Sequence, residues 1–286
     1  MYTAQIENAG GEVLTLTGNE TNWQIISITG LNPPNAQINV TNIAGLDGAK
    51  FNSSKLNTRN IVIMLKLNGN VEENRQLLYQ YFRTKETCTF YFKNENRDVS
   101  ISGYVETVEC ELFSSGEILQ ASIICPYPYF KAIAEIIADI SNELAAFTFP
   151  FSINIGEPIP FSLYISNRVT NVENNSESET GIIIQIDVLD SINSIQIKNT
   201  DSGETMTLNY SFQENDRVII NTNKGQKSIQ LIREGETINI FSAMAQGSVF
   251  FQLKVGTNHF GYLIDSGAND EDVFITFNYS NVYRGV

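Results

Sequence analysis

Basic side chains are scarce in this chain of 286 residues: 18 Lys and Arg stand against 32 Asp and Glu, for a net charge of -14. That sign opposes wrapping around phosphates, so no sequence-specific nucleic-acid partner is expected. Histidine and tryptophan occur once each, as His259 and Trp23, and cysteine three times, as Cys88, Cys110 and Cys125. An odd number of widely spaced cysteines supplies neither a disulfide framework nor a paired metal motif. Runs of apolar residues are also short. None approaches the ~20 residues a membrane helix needs, so no membrane partner is expected. The opening MYTAQIENAGGEV lacks the basic and apolar regions of a signal peptide, and synthesis and assembly in a cytosol are expected. The length fits one large or two ordinary domains, each able to bury a core without metals or cross-links.

What is present is mostly of period two. Met1 to Asn8 and Glu12 to Thr17 flank Ala9-Gly10-Gly11, a turn at which glycine supplies positive backbone angles, so the chain opens with a hairpin. Trp23 to Thr29 and Gln37 to Ile43 read as strands, separated by Asn32-Pro33-Pro34, which cannot sustain a hydrogen-bonded ladder. Ile61, Ile63, Leu65 and Leu67 make one face wholly apolar, with Val62 and Met64 opposite, so this strand is expected near the middle of a sheet.

One stretch has helical spacing. Asn70 is placed to cap a helix from Val71 to about Lys85, with Glu72 and Glu73 at its positive end and Arg83 and Lys85 at its negative end. Leu77, Leu78, Tyr81 and Phe82 form the stripe that would lie on the sheet. Alternation then resumes in four runs: Cys88, Phe90 and Phe92; Val99, Ile101 and Val105; Val108, Cys110 and Leu112; Leu119, Ala121 and Ile123. Lys93 to Asp98 and Ser114-Ser115-Gly116 read as turns. The first half is thus an α+β unit with one principal helix.

Two prolines in Cys125-Pro126-Tyr127-Pro128-Tyr129-Phe130 end the last strand and set the expected boundary, giving domains 1–130 and 131–286. Lys131 to Phe147 fits strand and helix alike, since Ile133, Ile136, Ile137, Ile140 and Leu144 suit both. Asn171 to Thr180 is polar enough to read as a mobile loop. Beyond it short alternating runs recur at 182–188, 195–197, 205–208, 217–220, 228–232, 238–241, 249–253 and 273–279. Punctuated by turn residues, they have the pattern of an antiparallel sandwich.

Candidate reaction centres are few, and each has a plainer reading. His259 lies far in sequence from every cysteine and reads as a strand or turn residue rather than half of a Cys/His pair. Three cysteines plus His259 number four potential zinc ligands, yet no two are close in sequence and the cysteines fall on apolar strand faces, as core residues do. Glu106, Glu109 and Glu111, or Asp187 with Asp190, would serve glycoside hydrolysis only at a set separation across a cleft, and so many acidic residues make such pairs by chance. Asn269-Asp270-Glu271-Asp272 lacks the alternating ligands of a calcium loop and reads as a solvated hairpin. Gly45 and Gly48 lack the residues of a phosphate loop. The sequon Asn52-Ser53-Ser54 carries no meaning in a chain that is not secreted. No catalytic, cofactor-binding or metal-binding residue is assigned, no cofactor is expected, and the chain is not read as an enzyme.

A resemblance covers nearly the whole chain. In order it runs through Pro33-Pro34, Leu46-Asp47-Gly48, Arg59-Asn60-Ile61, Glu73-Asn74-Arg75, Gly103-Tyr104-Val105-Glu106 and Ile123-Ile124-Cys125-Pro126 with Tyr129-Phe130. The second half adds Val218-Ile219-Ile220-Asn221-Thr222, Gly256-Thr257-Asn258 and the ending Asn281-Val282-Tyr283-Arg284-Gly285-Val286. In this order of motifs the sequence resembles the phage distal tail protein family, the hubs of siphovirus-type tail tips and baseplates. The resemblance favours strand over Lys131 to Phe147. It implies a mainly β chain with one principal helix: a ring-forming N-terminal α+β belt domain, and an outer antiparallel β-sandwich that is galectin-like or carbohydrate-module-like.

The function it implies is structural: a homo-hexameric hub at the virion tail tip, joining the tail tube to the baseplate and docking host-adhesion proteins. Implied partners are copies of itself, the tail tube protein, a tail-associated lysin or tail fibre protein, and receptor-binding proteins. The sequence departs from some members in having no long inserted arm for holding receptor-binding proteins. Host-wall glycans are the alternative partner, through a sandwich that stacks sugar on an aromatic ring. Phe250, Phe251, Phe260, Tyr262 and Tyr210 are the candidates for that role, although alternating aromatics are more often core.

Overall fold

Reversal of the chain after its first strand depends on two neighbours. Gly11 adopts φ 82°, and Asn8 Oδ1 accepts the amides of Gly10 and Glu12 at 2.9 and 3.0 Å. The side chain thereby supplies acceptors that the tight turn leaves wanting. In this computed structural model, residues 2–45, 47–112, 116–139, 142–145, 162–165, 169–265 and 272–286 are described, the segments 142–145 and 162–165 as backbone.

The described chain forms two units, Met1–Ala134 with Val282–Val286, and Glu135–Asn281. The sequence pattern places the division at 130/131 and runs the second domain to residue 286. The units divide four residues later, and the last five residues belong to the first unit, because Val282 and Tyr283 pair with Lys131 and Phe130. A two-residue strand so far from its partners in sequence leaves no local signal.

The first unit holds β1 (Thr3–Glu7), β2 (Val13–Thr15), β3 (Trp23–Thr29), β4 (Ala36–Asn42), β5 (Ala49–Leu56), β6 (Arg59–Leu67), α1 (Val71–Tyr81), β7 (Thr87–Lys93), β8 (Asp98–Cys110), β9 (Ile118–Cys125) and β10 (Phe130–Ala132). Its principal sheet runs β2-β1-β7-β8-β9-β6-β3, with β10 paired to β8 and to the C-terminal strand Val282–Tyr283. All these pairings are antiparallel. As expected, β6 buries Ile61, Ile63, Leu65 and Leu67 on one face, but it sits one strand in from the edge rather than at the centre, which is β8. Two of the runs read as separate strands, Val99 to Val105 and Val108 to Leu112, belong to one strand of 13 residues that ends at Cys110 and is bent by a bulge between Val105 and Thr107, so Leu112 lies beyond it. The bulge absorbs the odd residue that breaks the alternation in the sequence.

Helix α1 carries Glu72 and Glu73 in its first turn, and Leu78 and Phe82 are buried against the sheet. Removing each such side chain from water is worth ~1.5–3 kcal/mol. Two details differ from the sequence reading. Asn70 makes no side-chain cap; the inward Asn74 instead donates Nδ2 to Asn22 O and Asn68 O at 3.0 and 2.8 Å. The helix also stops at Tyr81, so Arg83 and Lys85 lie beyond its negative end. Lys85 takes φ 72°, which a right-handed helix cannot contain, and its amide bonds to Val105 O at 2.9 Å.

The second unit contains β11 (Ile136–Asp139), β12 (Asn142–Ala145), β13 (Ser162–Ile165), β14 (Val169–Asn174), β15 (Ile183–Val188), β16 (Ile192–Asn199), β17 (Thr205–Phe212), β18 (Arg217–Asn221), β19 (Ser228–Arg233), β20 (Glu236–Asn239), β21 (Gly256–Ile264) and β22 (Val273–Tyr279). They form a six-stranded sheet, β11-β22-β15-β18-β19-β20, a four-stranded sheet, β14-β21-β16-β17, and the pair β12-β13. Inward residues of the two larger sheets, among them Ile184, Ile186, Ile195, Ile197, Phe260 and Phe277, make one core, which is the expected sandwich.

Within Lys131 to Phe147 the described residues include strands β10, β11 and β12, in line with the strand reading. The loop expected at Asn171 to Thr180 is ordered at its start as β14, with Val172 inward. Asn174 is buried too and donates to Leu253 O at 2.9 Å and to Ser178 O at 3.1 Å. A polar composition had hidden a polar network. The strand expected at 249–253 is absent, its place taken by a loop tied through Leu253 to Thr180, and Gly256–Ile264, where no strand is expected from the alternation, is a nine-residue strand.

Candidate functional site

The most unusual surface of the first unit is the hairpin β4-β5, a two-stranded sheet of its own. Its register pairs Ile38 with Ser54, Val40 with Phe51 and Asn42 with Ala49, so Ala36, Ile38, Val40, Ala49 and Phe51 share one face. The opposite face is polar, with Asn39 Nδ2 donating to Ser53 Oγ at 2.9 Å and Asn52 Nδ2 to Thr41 Oγ1 at 2.7 Å. No part of either face is buried: Ile38, Val40 and Phe51 are 55%, 53% and 59% exposed. A two-stranded hairpin is marginal alone in water, and a one-sided apolar one seeks a cover. The sequence reading identified β4 but not β5, nor the apolar face. Ile38, Val40 and Phe51 around the glycines Gly45 and Gly48 were the available signal.

In the second unit a cleft of about 450 Å³ lies between the Gln213–Asp216 loop and the Arg233–Gly235 turn. Arg233 forms its wall, bound to Asp216 through Nε to Oδ1 at 2.8 Å and Nη2 to Oδ2 at 2.5 Å, with a further bond from Nη2 to Ser211 O at 3.0 Å. Burial would raise the Asp216 carboxyl, yet Arg233 and the Gln213 amide hold it below its ordinary value. Arg217 Nε donates to Asp187 Oδ1 at 2.5 Å, and Gln185 Nε2 to the other oxygen at 2.7 Å. Glu214 and Glu234 complete the rim, both exposed.

The residues weighed from sequence fall as follows. His259 Nδ1 lies 2.8 Å from Asp201 Oδ1, both side chains exposed, and its bonds hold the Asp201 carboxyl below its ordinary value. Cys88 and Cys125 are buried and Cys110 half-buried; burial pushes the first two thiols up to about 12 and about 11 and raises the third. All three cysteines belong to the first unit and His259 to the second. Among the described residues no His, Cys, Asp and Glu gather as a metal site would require. Glu106, Glu109 and Glu111 are exposed, Glu106 accepting from Ser122 Oγ at 3.0 Å. Asp187 faces Arg217, while Asp190 Oδ1 accepts the Ser191 amide at 2.6 Å. Of the acidic turn 269–272, residues 269–271 lie outside the described residues, as do Leu46 and the Ser114-Ser115 part of the expected turn.

Of the aromatic candidates, Phe251, Phe260 and Tyr262 are buried in the sandwich core. Phe250 and Tyr210 are half-buried. Phe250 stacks on Phe241, which the sequence reading passed over and which is 47% exposed, with centroids 5.7 Å apart. Lys227 Nζ stands 5.1 Å from the Phe250 centroid.

These features define a β-rich structural module, a sheet unit bearing an amphipathic hairpin and interrupted before its last strand by a two-sheet sandwich. The comparisons with known proteins are specific about its kind. Residues 175–283 match the family described as siphovirus-type tail component, C-terminal domain. Over the whole chain the fold is similar to the Dit (gp 19.1) protein of phage SPP1, described as a paradigm of hub adsorption apparatus in Gram-positive infecting phages. The TM-score is 0.70 at 13% identity, covering 98% of each chain. It is similar also to a chain of the phage P2 baseplate in its activated conformation with Ca, at TM-score 0.56 and 12% identity, again covering 98% of each chain. The same baseplate with Sr gives 0.56 at 13% identity, covering 97% of this chain and 98% of that one. No curated protein matches the sequence. The resemblance read from sequence is thus carried by a family match in the second unit and by the fold of the entire chain.

Proposed function

We propose that this chain is a structural component of a phage tail tip that closes into a homo-hexameric ring through its first unit. The ring joins the tail tube protein to the baseplate and docks the lysin or fibre and receptor-binding proteins. The observation that carries the reading is the hairpin β4-β5, whose apolar face is open along its whole length. A head-to-tail contact that buries this face on the next copy is heterologous, and such contacts make rings when their rotation closes. The sheet edges β2 and β3 offer further ladders for a neighbour. Similarity to tail hub and baseplate proteins supports the same role. Light scattering of the purified chain, alone and with its tail partners, tests it: a particle of six chains is expected, and a monomer at every concentration and with every partner would overturn it.

A second reading, that the sandwich binds host-wall glycans, is supported by the charged cleft. The part-exposed pair Arg217–Asp187 offers a guanidinium and a carboxylate side by side, which suits the hydroxyls of a sugar. Purified wall polysaccharide presented to the chain tests this reading separately from ring formation.

A further inference from the structure

Two open apolar surfaces of the first unit suit one another. The first is the hairpin β4-β5. It stands in the chain between β3 and β6, which are neighbours in the principal sheet, and its base is closed by the Asn57 amide on Asn35 O at 2.9 Å. It is therefore an arm that prolongs this strand pair, and Ile38, Val40 and Phe51 pack against neither buried core. The second is the outer face of the sheet itself. Alternation along β6 sends Ile61, Ile63, Leu65 and Leu67 to the core beside Leu78 and Phe82, and so turns Val62 and Met64 the other way. Register places Ile124 between Asn60 and Tyr104, one row from Val62, and Ile118 beside Lys66, one row from Met64. Tyr104, Ile124, Val62, Met64 and Ile118 thus make a diagonal apolar strip across β8, β9 and β6. Tyr104 is 51% exposed and the other four are half-buried, and none of them packs against the core.

Length and charge both fit. Ile118 and Ile124 lie six residues apart on β9, as Ala36 and Asn42 do on β4, ~20 Å of strand in each case. From Ala36 to Leu56 the arm carries Lys50 and Lys55 against Asp47, a net +1 in a chain of -14. The strip is flanked by the exposed Glu106 and Glu109 against Lys66, a net -1, with Glu106 placed on this face by the bond it accepts from Ser122. Opposite signs steer the two surfaces together.

We propose that the arm of one copy lies with Ile38, Val40 and Phe51 on the strip of the next copy. The inference rests on the ring reading above and names the surface that receives the arm. Arm and strip are different surfaces of one chain, so the contact is heterologous, and every open chain of copies keeps one free arm and one free strip until it closes. An arm that met another arm would stop at two chains.

Two variants of the full chain test the proposal, under the condition in which the parent assembles. One spoils the arm, Val40→Asp/Phe51→Asp, and the other spoils the strip, Val62→Asp/Tyr104→Asp. Light scattering should find each variant alone as a single chain. Mixed in equal amounts, they should form a particle of two chains and no larger one, the intact arm of the strip variant seated on the intact strip of the arm variant. Separately, Lys50→Glu/Lys55→Glu should raise the concentration needed for assembly by ~10-fold, and Glu106→Lys/Glu109→Lys added to the same chain should restore it. A six-chain particle from the strip variant alone would overturn the proposal and leave the ring with another seat. Two-chain particles from the strip variant alone would overturn it in favour of arm meeting arm. A mixture that stays single, with both variants showing the parent's circular dichroism, would also overturn it. Should the aspartate variants not fold, the charge exchange decides, and absence of rescue overturns the proposal. A parent that stays a monomer with every tail partner would overturn ring and seat together.

Discussion

Arg59 lies across Phe130, its guanidinium carbon 4.5 Å from the ring centroid, and is held by backbone carbonyls. Nε donates to Pro128 O at 2.9 Å, Nη1 to Gly30 O and to Asn32 O, and Nη2 to Arg284 O at 2.5 Å. One buried cation thereby joins the loop after β3, the loop before β10 and the C-terminal residues. Arg97 adds a second hold, with Nη1 on Gly285 O at 2.5 Å and its guanidinium over Tyr283. Replacing Arg59 by Ala leaves these carbonyls without donors and a ring face bare. A loss of roughly 3 kcal/mol is expected, measured by urea unfolding. Hydrogen exchange at Val282 to Val286 should quicken in the same variant, while exchange in the sandwich stays as it was.

The glycines give a graded test of backbone fit. At Gly30, φ is 83° and an added Cβ would stand 2.1 Å from Asn60 O, a clash with backbone that only movement of β6 relieves. Gly45 has the same φ but open space around it. Gly30→Ala should therefore lower the unfolding free energy severely, by ~3 kcal/mol or more, and Gly45→Ala by only ~1 kcal/mol, as urea unfolding reads it. Similar losses at both sites would contradict the packing described here.

On the hairpin, stability and assembly should separate. Val40→Ser/Phe51→Ser changes side chains that touch solvent in the single chain, so thermal unfolding of the monomer should stay within ~0.5 kcal/mol of the parent. If the apolar face closes the ring, the same variant should scatter as a single chain. A variant that still forms the six-chain particle would move the interface elsewhere.

The acid limb of stability should carry the mark of Asp216. Its carboxyl is held low in the folded state, so its contribution is present above the unfolded value of ~3.9 and is lost as the pH falls through the lower folded value. Asp216→Asn should flatten that part of the stability-versus-pH curve and destabilise the chain at neutral pH, where the parent's Arg233 is paired. A curve of unchanged slope between the parent and the variant would remove Asp216 from the account.

The cysteines should be silent until the chain unfolds. Burial lifts Cys88 to about 12 and Cys125 to about 11, so neither presents a thiolate at neutral pH. Maleimide labelling of native protein should stop at one thiol or none, Cys110 being the half-buried one, and reach three only in denaturant.

How much could be read in advance follows from the range of each signal. The face of β6, the stripe of α1 and the run Val273–Tyr279 are set by alternation or helical spacing over a few residues, and they fold as they read. So is the core character of the cysteines. Asn74 was legible only as a helix residue, because its partners Asn22 and Asn68 come from other parts of the chain. Asn174 was lost in a polar stretch for the same reason, its partner Leu253 being far off in sequence. The cleft joins Asp187, Asp216 and Arg233 across three strands and two loops. Of these, the sequence singles out only Asp187, in a pairing with Asp190 that it discounts as chance.

By itself, then, the order of apolar and polar residues determined that this protein is mainly β with one principal helix, and that Cys88, Cys125 and the alternating Phe90 and Phe92 are core, because burial follows periods of two and 3.6 residues. Tertiary structure alone decided that Val282 and Tyr283 join the first sheet, that Arg59 finds carbonyls instead of a carboxylate, and that Ile38, Val40 and Phe51 share an uncovered face. Those outcomes turn on register and on pairings between distant segments, where a shift of one residue turns a side chain from one face to the other.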